Sequence, residues 1–463
     1  MGDLMASKSK RVRMAPVRNL KPIFLYWAFA VFIIKLITIF NVPGNAWLGA
    51  DGENYISAYE AIIKDGLFST ERLLHYWPAG YPIFLWLLSF LGKSWLFATI
   101  AIAQSLVYSA AVFYFVYQLS KTKIRNYSYA TLIFLLFNPT LSLASICIGY
   151  ESLAASGLLV VLGLIIQDLA SNSDKIFIRN IIYSSLTVGV ISLFQPRLLL
   201  SGLVGLTIWV MVRKPLISAI STMIMATVIV AVSPALLIFR NQNANGFSAI
   251  STNLGITMNL GAGDGANGSY DINGTYGVDC PIIDGNASIQ DRHLVNCVIN
   301  WYVQNPKKSI KLFLNKSLYF WSPWVNNGFL GEVKTGSMKR NPWLKVNPII
   351  NIATTSQQGE DLVKGNIGKS ISWMWMLGSM AMMLLGYWQL WKTRGIERVI
   401  ALFAATQIIL NWGIALGTLG DHRQRLPILG IVIFLQVIGL KTVFKAKKVL
   451  LTPGPELPSK FAK

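Results

Sequence analysis

Between positions 51 and 75 the chain crowds Asp51, Glu53, Glu60, Asp65, Glu71 and His75 into a segment that directly follows an apolar stretch long enough to cross a bilayer. Taken as a helix over 51–62, the segment puts Asp51, Tyr55, Ala58, Tyr59 and Ile62 on one face at i, i+4, i+7 spacing. A carboxylate backed by aromatic rings and held just outside a membrane is placed to take a proton from a hydroxyl. The same residues also fit a solvated helix with ordinary surface acids, and the rest of the chain decides between the two readings.

The elements that must position these groups are apolar. Hydrophobic residues make up 53% of the chain and charged residues only 13%, with 15 Trp. A soluble chain could not hide that much apolar surface, so the expected fold class is an all-α polytopic membrane protein. Spans are expected near 22–41, 97–119, 127–145, 150–168, 179–194, 198–213, 216–238, 371–391, 398–416 and 427–444, about ten crossings. The formal charge of +21 does not point to nucleic acid. Lysines and arginines cluster in both tails and in alternate short loops, which by the positive-inside rule puts both termini in the cytoplasm. The loop 42–96, the corner Gln195-Pro196-Arg197, the segment 240–370 and the turn 420–427 then share the outer face.

Five regions follow: a basic tail 1–21, a membrane core 22–239 that includes the outer loop 42–96, an extracytoplasmic region 240–370, C-terminal spans 371–444 and a tail 445–463. Residues 80–92 are apolar but too short to cross and read as a re-entrant or interfacial helix. Lys35, near the outer end of the first span, is expected to snorkel. Residues 251–270 are rich in Gly and Asn and suit tight turns. Amphipathic helices are expected at 288–304 and 306–321, divided at Asn305-Pro306. Cys280 and Cys297 would lie in an oxidising compartment, where both a disulfide and two free thiols are compatible with the sequence. The first apolar stretch is too long for a cleavable signal peptide.

Four stretches carry a family resemblance. Asp51 with Tyr55 and Ala58 leads to Trp77-Pro-Ala-Gly-Tyr-Pro82, and Asn138-Pro139 precedes Glu151 at the start of a span. Arg240-Asn241 is followed by Ser251-Thr-Asn253, Gly255, Asn259-Leu-Gly261 and Gly268-Ser-Tyr270, and Arg423-Gln-Arg425-Leu-Pro427 precedes the final span. In this order, from about residue 22 to 440, the chain resembles the GT-C class of integral-membrane glycosyltransferases. Within that class it looks most like the branch of protein O-mannosyltransferases, lipid A aminoarabinose transferases and rhizobial lipopolysaccharide transferases. It departs from the family pattern where Gly52 separates Asp51 from Glu53 and where Pro78-Ala79 stands for a Pro-Pro pair, so Glu53 stays a candidate second acid.

The resemblance implies inverting transfer of a sugar from a polyprenyl-phosphate donor to an acceptor hydroxyl of a lipid, glycan or protein, at the outer face of a bacterial inner or plasma membrane. The leaving polyprenyl phosphate needs no strong general acid. It needs a base for the acceptor and cations for the developing phosphate charge. Asp51 is the expected base, with Tyr55, Tyr59 and Tyr81 shaping its pocket. Arg240, Arg423 and Arg425, with Arg197 as a fourth, are the expected phosphate-binding group, since arginine grips phosphate oxygens in a fork. Interfacial snorkelling is the plain alternative for each. Glu151 would orient the acceptor or a metal, or else bond neighbouring backbone.

No His or Cys set has metal-ligand spacing, and His75, His293 and His422 read as structural or surface groups. No cofactor is implied beyond a divalent cation that Asp51 with Glu53 would hold. Gly261-Ala-Gly-Asp-Gly265 lacks the strand–turn–helix setting of a nucleotide site, and the Trp-rich runs 318–324 and 373–375 read as interfacial belts. Two rivals stay open. A polysaccharide polymerase or ligase would rely on outer-loop Arg and His, and a lipid or solute transporter would use Lys35 and Glu151 as pathway charges.

Overall fold

The computed structural model describes residues 21–41, 51–171, 173–269, 277–321, 366–393 and 395–451. The N-terminal basic tail, Tyr270, residues 322–324 of the Trp-rich run and the end of the C-terminal tail lie outside them. Every described element is helical or a turn, as a chain that must satisfy its own backbone groups in lipid requires.

The helices are α1 (Lys21–Asn41), α2 (Gly52–Asp65), α3 (Leu73–Tyr76), α4 (Gly80–Ser89), α5 (Leu96–Leu119), α6 (Ser128–Leu136), α7 (Pro139–Ala144), α8 (Glu151–Ser171) and α9 (Asp174–Phe194). They continue with α10 (Arg197–Arg213), α11 (Leu216–Asn245), α12 (Leu254–Leu260), α13 (Ala287–Gln304), α14 (Pro306–Trp321), α15 (Asn366–Lys392), α16 (Ile396–Gly417) and α17 (Leu426–Leu451). The central helix is α8, buried along almost its whole length between α5, α9 and α17. Around it α1 packs on α5, α11 on α9, α10 on α16 and α15 on α17. The outer side of α11 is an apolar stripe, with Ile217, Ile220, Ile224, Val228, Val232 and Leu236 all exposed, as a helix facing lipid tails requires.

Among the described residues seven helices are long and apolar enough to cross a membrane: α1, α5, α8, α9, α11, α16 and α17. The expectation of ten is not confirmed, and the span at 127–145 is corrected. That stretch is broken into α6 and α7 at Asn138-Pro139. Pro139 cannot donate to the preceding turn and opens a new helix, while Asn138 Oδ1 accepts from Leu141 N at 2.9 Å as its N-cap. The short helix at 80–92 is found as α4. Its Gly80 lets the backbones of α4 and α9 touch, since a Cβ there would lie 2.4 Å from the Leu193 carbonyl oxygen.

Lys35 does not snorkel. It is fully buried, donates to Ser145 Oγ at 2.6 Å and sits 4.5 Å from the Tyr108 ring centroid. The Gly- and Asn-rich stretch, expected as turns, holds α12, because packing against α13 overrides local propensity. Gly255 N donates to Asp291 Oδ1 at 2.7 Å, and Asn259 Oδ1 accepts from Val278 N at 2.7 Å. The two amphipathic helices appear as α13 and α14, and Cys280 is bonded to Cys297. Together α12, α13 and α14 form a cap over the end of the bundle where α16 meets α17.

Candidate active site

Three junctions far apart in sequence deliver charge to one place at this end of the bundle. Asp51 is the residue before α2, and its carbonyl accepts from Tyr55 N at 3.0 Å. It therefore stands at the head of the helix, one turn before Tyr55, whose side of the helix also buries Ala58, Tyr59 and Ile62. Glu151 is the first residue of α8. Both carboxylates sit where the positive end of a helix dipole favours them. Arg423 comes from the tight turn His422–Arg425 between α16 and α17, whose entry is fixed by Asp421 Oδ1 accepting from Arg423 N at 2.9 Å.

Arg423 joins the two acids. Its Nη1 donates to Asp51 Oδ2 at 2.5 Å and its Nε to Glu151 Oε1 at 2.6 Å. These are charge-assisted bonds of the strong kind. The side chains of Asp51 and Arg423 keep 20% of their surface open, while Glu151 keeps 3%. The aspartate and the guanidinium are thus reachable from outside, and the glutamate holds the arginine from below.

A wall of rings backs Asp51. Tyr55 packs edge-on against Tyr81 at 4.9 Å, Tyr150 at 6.2 Å and Trp77 at 6.3 Å between centroids. Burial pushes the phenols of Tyr55 and Tyr150 well above the usual tyrosine range, so both stay neutral hydroxyls. Tyr81 braces the chain instead of lining an opening. It is buried, its Oη accepts from Gly149 N at 2.8 Å and donates to Gln104 Oε1 at 3.2 Å. Tyr59 is buried in the same cluster. Sequence reasoning missed Tyr150, whose one signal was adjacency to Glu151.

The arginines divide. Arg197 Nη2 donates to the Gln424 carbonyl at 2.8 Å, so it borders the Arg423 turn. Arg425, two residues from Arg423, lies 5.7 Å from the Trp321 ring centroid. Arg240 is not brought to this group by any of its hydrogen bonds. Its guanidinium donates to the carbonyls of Leu67 (3.1 Å), Leu74 (3.2 Å) and Ser69, and to Asn241 Oδ1 at 2.8 Å. Four acceptors use up nearly all of its donors, and it serves to pin the loop after α2.

Glu53 is exposed on α2. Among the described residues no cluster of three His, Cys, Asp or Glu side chains could hold a metal ion. His75 bonds Thr252 Oγ1 at 3.1 Å, and burial together with Arg240 and Arg72 pulls its pKa down. It ties the loop after α2 to the segment after α11, a structural role.

No protein-family model and no curated protein matches the sequence. The fold is similar to solved structures of an oligosaccharyltransferase from Archaeoglobus fulgidus. One carries a tethered acceptor peptide, at 10% identity, TM-score 0.46 and 92% of this chain against 50% of that one. Another holds an inhibitory peptide and a dolichol-phosphate, at 12% identity, TM-score 0.44 and 95% of this chain against 53% of that one. The chain thus spans about half the length of these proteins. It is also similar to ArnT from Cupriavidus metallidurans bound to undecaprenyl phosphate, at 14% identity, TM-score 0.40 and 95% of this chain against 82% of that one.

Proposed function

We propose that this chain is an integral-membrane glycosyltransferase that moves a sugar from a polyprenyl-phosphate carrier to an acceptor hydroxyl at the outer face of the membrane. The observation that carries the reading is the Asp51–Arg423–Glu151 group: a base and an anion-binding guanidinium in direct contact, partly open, at the end of an apolar bundle. In the reaction the acceptor oxygen bonds to the anomeric carbon as the bond from that carbon to the phosphate oxygen breaks. The acceptor proton goes to Asp51, and the electron pair stays on the released polyprenyl phosphate. Arg423 meets the growing phosphate charge, with Arg197 and Arg425 beside it.

Before substrate arrives, Arg423 is bound to the carboxylate that must act as base. A phosphate competing for the guanidinium draws it off Asp51, and the carboxylate is then available to the acceptor. Glu151 keeps its bond to Nε and holds the arginine in reach of both partners. Donor binding therefore precedes acceptor deprotonation.

Asp51→Asn tests the reading. Transfer from a polyprenyl-phosphate sugar should fall by roughly 100-fold or more, the size of a lost general base. Binding of undecaprenyl phosphate should be retained. Transfer at the unaltered rate in that variant would overturn the proposal. A protein that carries the lipid across a vesicle membrane without breaking any glycosidic bond would be a transporter instead.

A further inference from the structure

The link between α16 and the Arg423 turn is held from the cap. Tyr302 Oη on α13 donates to the Gly417 carbonyl at 3.2 Å. Lys316 Nζ on α14 donates to the Thr418 carbonyl at 2.5 Å and to Tyr302 Oη at 2.8 Å. Gly420 N donates to the Gly268 carbonyl at 2.9 Å. The backbones touch as well, since a Cβ on Gly420 would lie 2.3 Å from Lys316 Cα. The next residue is Asp421, which caps the turn that presents Arg423, and Arg197 grips that turn from the bundle side.

Lys316 is fully buried, and among the described residues no carboxylate pairs with it. An apolar side chain of the same length would avoid the desolvation of a buried amine. What the lysine supplies in exchange is a donor for a carbonyl that the end of α16 leaves open.

We propose that Lys316 and Tyr302 are positioning residues for Arg423, setting from the cap where its guanidinium meets the donor phosphate. This rests on the phosphate role given to Arg423 above. Neither side chain touches the reacting atoms; both act through residues 417–420.

The test is a double-mutant cycle on the purified full chain in detergent, with undecaprenyl phosphate titrated against tryptophan fluorescence. Lys316→Met should raise Kd roughly tenfold, the scale of a lost bond from a buried donor. In an Arg423→Gln background the same change should raise Kd little, because the group being positioned is gone. A lysine that only stabilises the cap would raise Kd by the same factor in both backgrounds, and that result overturns the inference while leaving the phosphate role intact. An unchanged Kd in Arg423→Gln alone overturns the phosphate role and this inference with it. Should Lys316→Met fail to give folded protein by size exclusion, Tyr302→Phe removes one hydroxyl and carries the same comparison.

Discussion

At the residue scale the exchange of Arg423 between carboxylate and phosphate has a measurable sign. Asp51→Asn removes the anion that competes for the guanidinium, so undecaprenyl phosphate should bind at least as tightly as to the unaltered chain. A several-fold weaker Kd would refute the competition. Arg240 supplies the contrast. Arg240→Met leaves the Leu67, Ser69 and Leu74 carbonyls without their donor, at a cost of about 3 kcal/mol in stability. Its Kd for the lipid should stay within twofold (roughly, since remote sites act additively), and a large change would return Arg240 to the phosphate group. Asp51, Glu151 and Arg423 were all legible in the sequence as charges at the ends of apolar runs. Their meeting was not, because residues 372 and 272 positions apart leave no local signal. Arg240 and Arg423 look alike by that criterion. They are separated only by what the loop after α2 does with its carbonyls.

At the element scale, hydrophobic runs gave away the long helices and the Asn305-Pro306 division, because length and proline act locally. The run at 127–145 misled, since apolarity does not reveal that Asn138-Pro139 starts a new helix inside it. α12 was hidden for the opposite reason, being made by packing against its own propensity. The cap carries a pH prediction. Burial pulls the pKa of Lys316 from 10.5 down to about 7. Between those two values the folded chain binds fewer protons at this site than the unfolded chain, so its contribution to stability rises with pH across the window and is lost as pH falls to 7. The groups facing it are the Tyr302 phenol, pushed above its usual range by burial, and the neutral Thr418 carbonyl. Thermal unfolding followed from pH 7 to 10 should show a rise in Tm that Lys316→Met flattens. Parallel profiles for the two proteins would count against a buried, neutralised lysine.

At the scale of the whole molecule, composition pointed to a helical membrane class and the described elements are helices, while the number of crossings depended on breaks that composition does not register. The side on which the cap lies is a separate proposition with its own check. Once the Cys280–Cys297 bond is reduced in intact cells, a membrane-impermeant maleimide should label Cys297 from outside, and labelling only after the cells are opened would reverse the topology. The late origin of the arginine also bears on how the chain is made. When synthesis has passed Gly420 but not Arg423, Glu151 already opens the central helix without the guanidinium that binds it directly, although Arg197 is in place to offset part of its charge. Nascent chains halted there should be short-lived in the membrane, and pulse-chase of a chain stopped at position 420 against the full chain would reveal it. The arginine that bridges the two acids thus also completes the charge balance at the head of α8, and only a chain made past position 423 carries it.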